Sequence, residues 1–122
     1  MAKRILIIDD EVQLVEMVKM RLEDAGYETI CAYDGQEGFG RAKKDKPDLI
    51  ILDLMLPKMD GYKVCGLLKN DARYSKIPII MFTARVQEED VALGKELGAE
   101  EYVTKPFDPK ILLSKIKKLL GE

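Results

Sequence analysis

Five short apolar runs punctuate the chain: Ile5–Ile8, Thr29–Ala32, Leu49–Leu52, Ile79–Phe82 and Tyr102–Val103, each followed by a longer amphipathic stretch. Runs this short, rich in β-branched residues and bounded by turn residues, read as strands buried on both faces. The stretches between them read as helices. Strict alternation of the two, joined by right-handed crossovers, predicts an α/β fold with a parallel five-stranded sheet covered by helices on both faces. At 122 residues the chain is expected to be one domain, long enough to bury roughly two-thirds of its unfolded surface.

The helices differ in how plainly they are written. Val12, Val15, Val18, Met20 and Leu22 recur near helical spacing, and Gly26 ends that stretch. Val64, Leu67 and Leu68 make a shorter stripe that stops at Asn70-Asp71, and Val91, Leu93 and Leu97 make another before Gly98. The last helix starts on Asp108 as N-cap with Pro109 at the first helical position. Its stripe of Leu112, Leu113, Ile116, Leu119 and Leu120 faces inward, and Lys110, Lys115, Lys117 and Lys118 face out. The segment from Asp34 to Lys44 carries Gly35, Gly38 and Gly40 and is expected to be a soft helix, since an interior glycine costs up to ~1 kcal/mol of helix propensity.

Composition removes several function classes. Net charge is −2 with both signs interspersed, so direct nucleic-acid binding or attraction to an anionic membrane is not expected. The basic start, Met1-Ala2-Lys3-Arg4, leads into an apolar run of only four residues, too short for a signal peptide or a membrane span. Cys31 and Cys65 fit no metal or redox spacing and read as reduced thiols of a cytoplasmic protein. The chain has no histidine. Histidine-based nucleophile systems and histidine-ligated zinc are therefore out, and any metal must be a hard cation held by oxygen, magnesium before others.

In a doubly wound sheet, ligands bind outside the carboxyl ends of the strands, and those ends carry the polar residues. Asp9 and Asp10 follow the first run, Asp53 the third, Thr83 the fourth, and Thr104-Lys105-Pro106 the fifth. The flavodoxin-like order 2-1-3-4-5 makes the first and third strands neighbours, which brings the three aspartates together. Singly, each residue has an ordinary explanation: Asp10 and Thr83 as helix or turn caps, Lys105 as a solvated surface lysine. Their joint occurrence at four of five strand ends favours a site. Asp10, Asp53 and a backbone carbonyl suit Mg²⁺ with waters completing the octahedron. Asp53 has an oxygen left to attack phosphorus, while Lys105 and the Thr83 hydroxyl suit the oxygens of a transferred phosphoryl group.

At this point the chain resembles the receiver domain of bacterial two-component response regulators, over essentially residues 1–122. The resemblance rests on Ile7-Ile8-Asp9-Asp10-Glu11, on Leu52-Asp53-Leu54-Met55-Leu56-Pro57-Lys58-Met59-Asp60-Gly61, on Phe82-Thr83-Ala84 and on Lys105-Pro106-Phe107. It implies that Asp53 is the phosphoacceptor for a phosphohistidine on a sensor histidine kinase or a histidine phosphotransfer protein. Asp10 is then a direct magnesium ligand, Asp9 acts through water, and Met55 acts through its carbonyl. Thr83 and Tyr102 match the family's switch pair, and Lys105 its phosphoryl-binding lysine, with a cis bond to Pro106. A downstream effector or fused output domain would read a surface on the fourth helix, fifth strand and fifth helix, with phosphorylation-linked dimerisation left open. Two positions that vary in the family, Met55 and Arg85, are bulky here and suggest a long-lived phosphate.

Other functions fit less well. A haloacid-dehalogenase-type phosphohydrolase needs a second acid two residues after its nucleophile, where this chain has Met55. A flavin module wants a Ser/Thr/Gly-rich phosphate loop where this chain has Asp9-Asp10-Glu11. A degenerate receiver would lack active-site residues, and none is missing. The expected role is a signalling switch and not a turnover enzyme.

Overall fold

The apolar runs pair side by side into a single sheet. In the computed structural model, which describes residues 2–84 and 87–122, they form β1 (Arg4–Ile8), β2 (Glu28–Ala32), β3 (Leu49–Leu52), β4 (Ile79–Thr83) and β5 (Glu101–Thr104). The pairs are parallel and the order is β2-β1-β3-β4-β5. Helices α1 (Val12–Asp24), α2 (Gly35–Asp45), α3 (Gly61–Lys69), α4 (Glu88–Glu96) and α5 (Pro109–Leu120) make the crossovers. This is the flavodoxin-like doubly wound arrangement, with β1 and β3 adjacent.

Successive strand side chains point to opposite faces, so the central strands feed two cores. Ile5, Ile7, Leu49, Ile51, Ile80 and Phe82 meet Val15, Val18 and Leu22 of α1 and Leu112 and Ile116 of α5. Leu6, Ile8, Ile50, Leu52, Ile79 and Met81 meet Ala42 of α2 and Val64, Cys65 and Leu68 of α3. No helix of the described residues is long and apolar enough to cross a membrane.

The helix stripes are narrower than periodicity alone suggests. Val12 and Met20 on α1 are each 55% exposed, and Leu67 on α3 and Leu93 on α4 are also exposed. The inward residues of α4 are instead Asp90 and Gly94, where the ring of Tyr102 packs close to the Gly94 backbone. Helix α2 is continuous, and two of its glycines have a packing reason. Gly38 lies against Ile8, whose Cδ1 and Cγ2 would stand 2.6 Å from any Cβ there, and Gly35 lies directly beneath the Met59 carbonyl. Only Gly40 sits in open space.

Candidate functional site: an acid cluster at the strand ends

Register brings the acids together. Ile8 and Leu52 are paired, and one residue later the Asp53 N–H donates to the Ile8 carbonyl at 2.9 Å. Asp9 and Asp53 therefore stand side by side, with Asp10 just outside them. Asp9 is 1% and Asp53 4% exposed, whereas Asp10 faces solvent. One carboxylate oxygen from each of Asp9, Asp10 and Asp53 lies within 4.8 Å of the others. Asp10 does not cap α1: the N-cap is Glu11, with no side-chain bond. Gly61 at the start of α3 lets the backbone of that helix press directly on the Asp53 carbonyl.

Lys105 enters the cluster from the far side of the sheet. Its backbone N–H donates to the Thr83 carbonyl at 2.9 Å, and its peptide bond to Pro106 is cis. Its ammonium lies 2.8 Å from Asp9 Oδ2, 2.9 Å from Glu11 Oε1 and 3.1 Å from Asp53 Oδ2. It also sits 5.4 Å above the Phe82 ring centroid, and Phe107 meets that ring edge-on. Burial alone would lower the Lys105 pKa, but the bonds to Asp9 and Glu11 and the charge of Asp53 reverse this and raise it strongly.

The acids outnumber their counter-charge. Asp9, Glu11 and Asp53 share the Lys105 ammonium, and Asp10 stands beside them. Burial raises the Asp9 pKa, opposed by the Lys105 bond and the Glu11 N–H, and the charge of Asp53 raises it further. Asp9 Oδ2 is buried without a well-directed hydrogen bond among the described residues, and the ammonium at 2.8 Å is its only close compensation there. A buried carboxylate oxygen that shares its one ammonium with two other carboxylates, in a cluster of oxygen donors, is a donor set that fits a hard divalent cation.

The remaining expected residues lie on β4, on β5 and in the loop after β3. Thr83 is 1% exposed at the end of β4. The registers Met81↔Tyr102 and Thr83↔Thr104 put the Thr83 and Tyr102 side chains on the same face of the sheet. Met55 directs its N–H to Asp53 Oδ1 at 3.3 Å and its side chain to solvent. Arg85 lies outside the described residues. Sequence reasoning passed over Glu11, which was read only as part of a motif, and Phe82, whose ring supports the ammonium. A carboxylate directly after Asp9-Asp10 was the available signal for the first. No local signal marked the second.

Residues 5–117 match the family model of the response regulator receiver domain. The chain belongs to the response regulator receiver family. This receiver is 46% identical over 120 residues to the alkaline phosphatase synthesis transcriptional regulatory protein PhoP of Bacillus subtilis, covering 98% of the chain and 49% of that protein. The chain spans about half the length of the curated relatives it matches. Among solved structures, the receiver superposes on the chemotaxis response regulator CheY4 of Vibrio cholerae with a TM-score of 0.92 at 34% identity, covering 98% of this chain and 100% of that one. It superposes as well on the receiver domain of the sensor histidine kinase PA1611 of Pseudomonas aeruginosa, with a TM-score of 0.91 at 24% identity and full coverage of both chains. That protein's structure has a magnesium ion coordinated in its active-site cleft.

Proposed function

We propose that this receiver is a phosphorylation-dependent switch that takes a phosphoryl group from a phosphohistidine of a sensor histidine kinase or histidine phosphotransfer protein onto Asp53. A carboxylate oxygen of Asp53 attacks phosphorus and an O–P bond forms. The donor's N–P bond breaks, and the imidazole nitrogen leaves with the electron pair. The observation that carries this reading is the ion cluster itself: Asp53 is buried beside Asp9, and one ammonium is shared among Asp9, Glu11 and Asp53.

Asp9, Asp10, Asp53 and the Met55 carbonyl would hold Mg²⁺, a reading supported by the three clustered carboxylates. When bound, the cation offsets charge on the transferring group. Lys105 already reaches Asp53 Oδ2 and is placed to follow that oxygen once it carries phosphate. The Thr83 hydroxyl, on the neighbouring strand end, donates to a phosphoryl oxygen. Its turn toward the site leaves room on the same sheet face for the Tyr102 ring, which now packs by Gly94 of α4. The readout is therefore a surface on α4, β5 and α5, offered to an effector or an output domain, with dimerisation one form the output can take. A turnover phosphatase is disfavoured by Met55, which gives no second acid after Asp53.

Beryllofluoride with Mg²⁺, followed by amide NMR, tests the switch. Shifts are expected at Thr83, at Tyr102 and along α4, besides the acid cluster. Shifts confined to residues 9–11 and 53–59 would contradict the relay.

A further inference from the structure

The loop after Asp53 is seated on a helix that otherwise takes no part in the site. Pro57, Lys58 and Met59 form a three-residue turn in which the Met59 N–H donates to the Pro57 carbonyl at 2.8 Å. Lys58 at its centre has a φ of 68°, the left-handed region that side chains with a Cβ enter at a steric cost. A strained turn persists only where its surroundings over-determine it. Here the surroundings are the first turn of α2. The same Pro57 carbonyl accepts a second hydrogen bond, from Gly35 N–H at 3.2 Å. Gly35 has no Cβ, and one added there would collide with the Met59 carbonyl.

Asp34 fixes the seat from the other side. Its Oδ1 accepts from Glu37 N–H at 2.7 Å, capping α2, and its Oδ2 lies 3.7 Å from Lys58 Nζ. Glu37 Oε1 accepts from Tyr33 N–H at 2.8 Å, so the helix start is doubly tied. At the other end of the loop, Gly61 N–H donates to the Leu54 carbonyl at 3.0 Å. Between these two fixed points lies Met55, whose peptide faces Asp53.

We infer that Gly35 and Asp34 are positioning residues for the loop 54–60, and that the close seat of Pro57–Met59 on α2 sets the affinity of the acid cluster for a divalent cation. This rests on the magnesium reading above. The exposed Lys58–Asp34 pair is the lesser part, because such pairs contribute little. The backbone contact at Gly35 is the greater part.

Two glycines of one helix make the test. Gly35→Ala and Gly38→Ala each crowd α2, but only the first meets the loop; the second meets the Ile8 side chain. The probe is Mn²⁺ binding followed by electron paramagnetic resonance, with displacement by Mg²⁺, alongside the thermal midpoint of each variant. Both variants are expected to lower the midpoint. Gly35→Ala is expected to weaken cation affinity by about five-fold or more, and Gly38→Ala to leave it within about two-fold of the parent. Lys58→Pro and Lys58→Gly form a second pair at an exposed position, outside the core. Proline cannot take a φ of 68° and is expected to weaken binding; glycine adopts it freely and is expected to preserve binding. Parent-like affinity in Gly35→Ala, or in Lys58→Pro should Gly35→Ala not fold, overturns the inference. Absence of Mn²⁺ and Mg²⁺ binding in the parent chain overturns the magnesium reading itself.

Discussion

Lys105 bridges three carboxylates, yet the cluster keeps an excess of negative charge in a crevice where two of its acids are buried. Like charges held this close destabilise the fold until a cation joins them. Asp10→Asn removes one of those charges without touching the Lys105 bonds. In a chelator it is expected to raise stability by about 0.5–1 kcal/mol, and to lose most of the stabilisation that Mg²⁺ gives the parent. Mg²⁺ at about a hundred times its dissociation constant should stabilise the parent by about 2.7 kcal/mol. Thermal melts with and without Mg²⁺ check both.

Lys69 shows the opposite case, a buried ammonium whose donors are all satisfied. Its Nζ donates to the carbonyls of Ser75 and Ile77 and to Glu100 Oε2, while Glu100 Oε1 accepts from Ile79 N–H. Lys69→Met leaves those acceptors unpaired at the start of β4. Urea denaturation is expected to show a loss of about 2–3 kcal/mol. Nothing in the sequence distinguishes this lysine from the solvated ones around it. Its partners come from the α3–β4 loop and from Glu100, just before β5, and only the folded sheet brings them to it.

Among the elements, α5 was the most legible because its start is written in Asp108-Pro109 and its apolar stripe is wide. Leu112 and Ile116 are fully buried, and Ile111 is 51% exposed. Leu112→Ala is expected to cost about 2–5 kcal/mol, and Ile111→Ala less than about 0.5 kcal/mol. Helix α4 was the least legible. Its inward positions are an acid and a glycine, which no hydrophobic pattern can reveal. The glycines of α2 carry a second meaning that the local sequence hides: Gly35 and Gly38 allow close approach to Met59 and Ile8, contacts made across the fold.

Glu122, just past α5, is tied to the residue before β2: the Tyr27 hydroxyl donates to Glu122 Oε1 at 2.7 Å. Burial, then that bond and the Glu122 charge, push the Tyr27 pKa from 10.0 up to about 12. A folded-state pKa above the unfolded value means stability that is full below pH 10 and lost as pH rises toward 12. Tyr27→Phe should therefore lower stability at neutral pH and show a shallower loss than the parent between pH 10 and 12, read from paired melts.

At the scale of the whole molecule, strand order is what converts sequence into a site. Asp53 is far in the chain from Asp9 and Asp10 and meets them because β1 and β3 are neighbours; Lys105 joins them from the end of β5. The alternation of apolar and amphipathic stretches predicts the parallel sheet, and the flavodoxin-like order then makes β1 and β3 neighbours. The strand ends supply Asp9, Asp10, Asp53, Thr83 and Lys105 as candidates, whereas Met55 and Tyr102 come only from the family resemblance. What pattern could not show is support that forms only in the fold: Phe82 beneath the ammonium and α2 beneath the loop.

The central claim is that Asp53 receives the phosphoryl group. Intact-mass spectrometry after incubation with Mg²⁺ and phosphoramidate measures it directly. The parent chain is expected to gain one phosphoryl mass, labile to hydroxylamine as an acyl phosphate is, and Asp53→Asn to gain none. Equal phosphorylation of Asp53→Asn, or no phosphorylation of a folded, Mg²⁺-loaded parent, would contradict it.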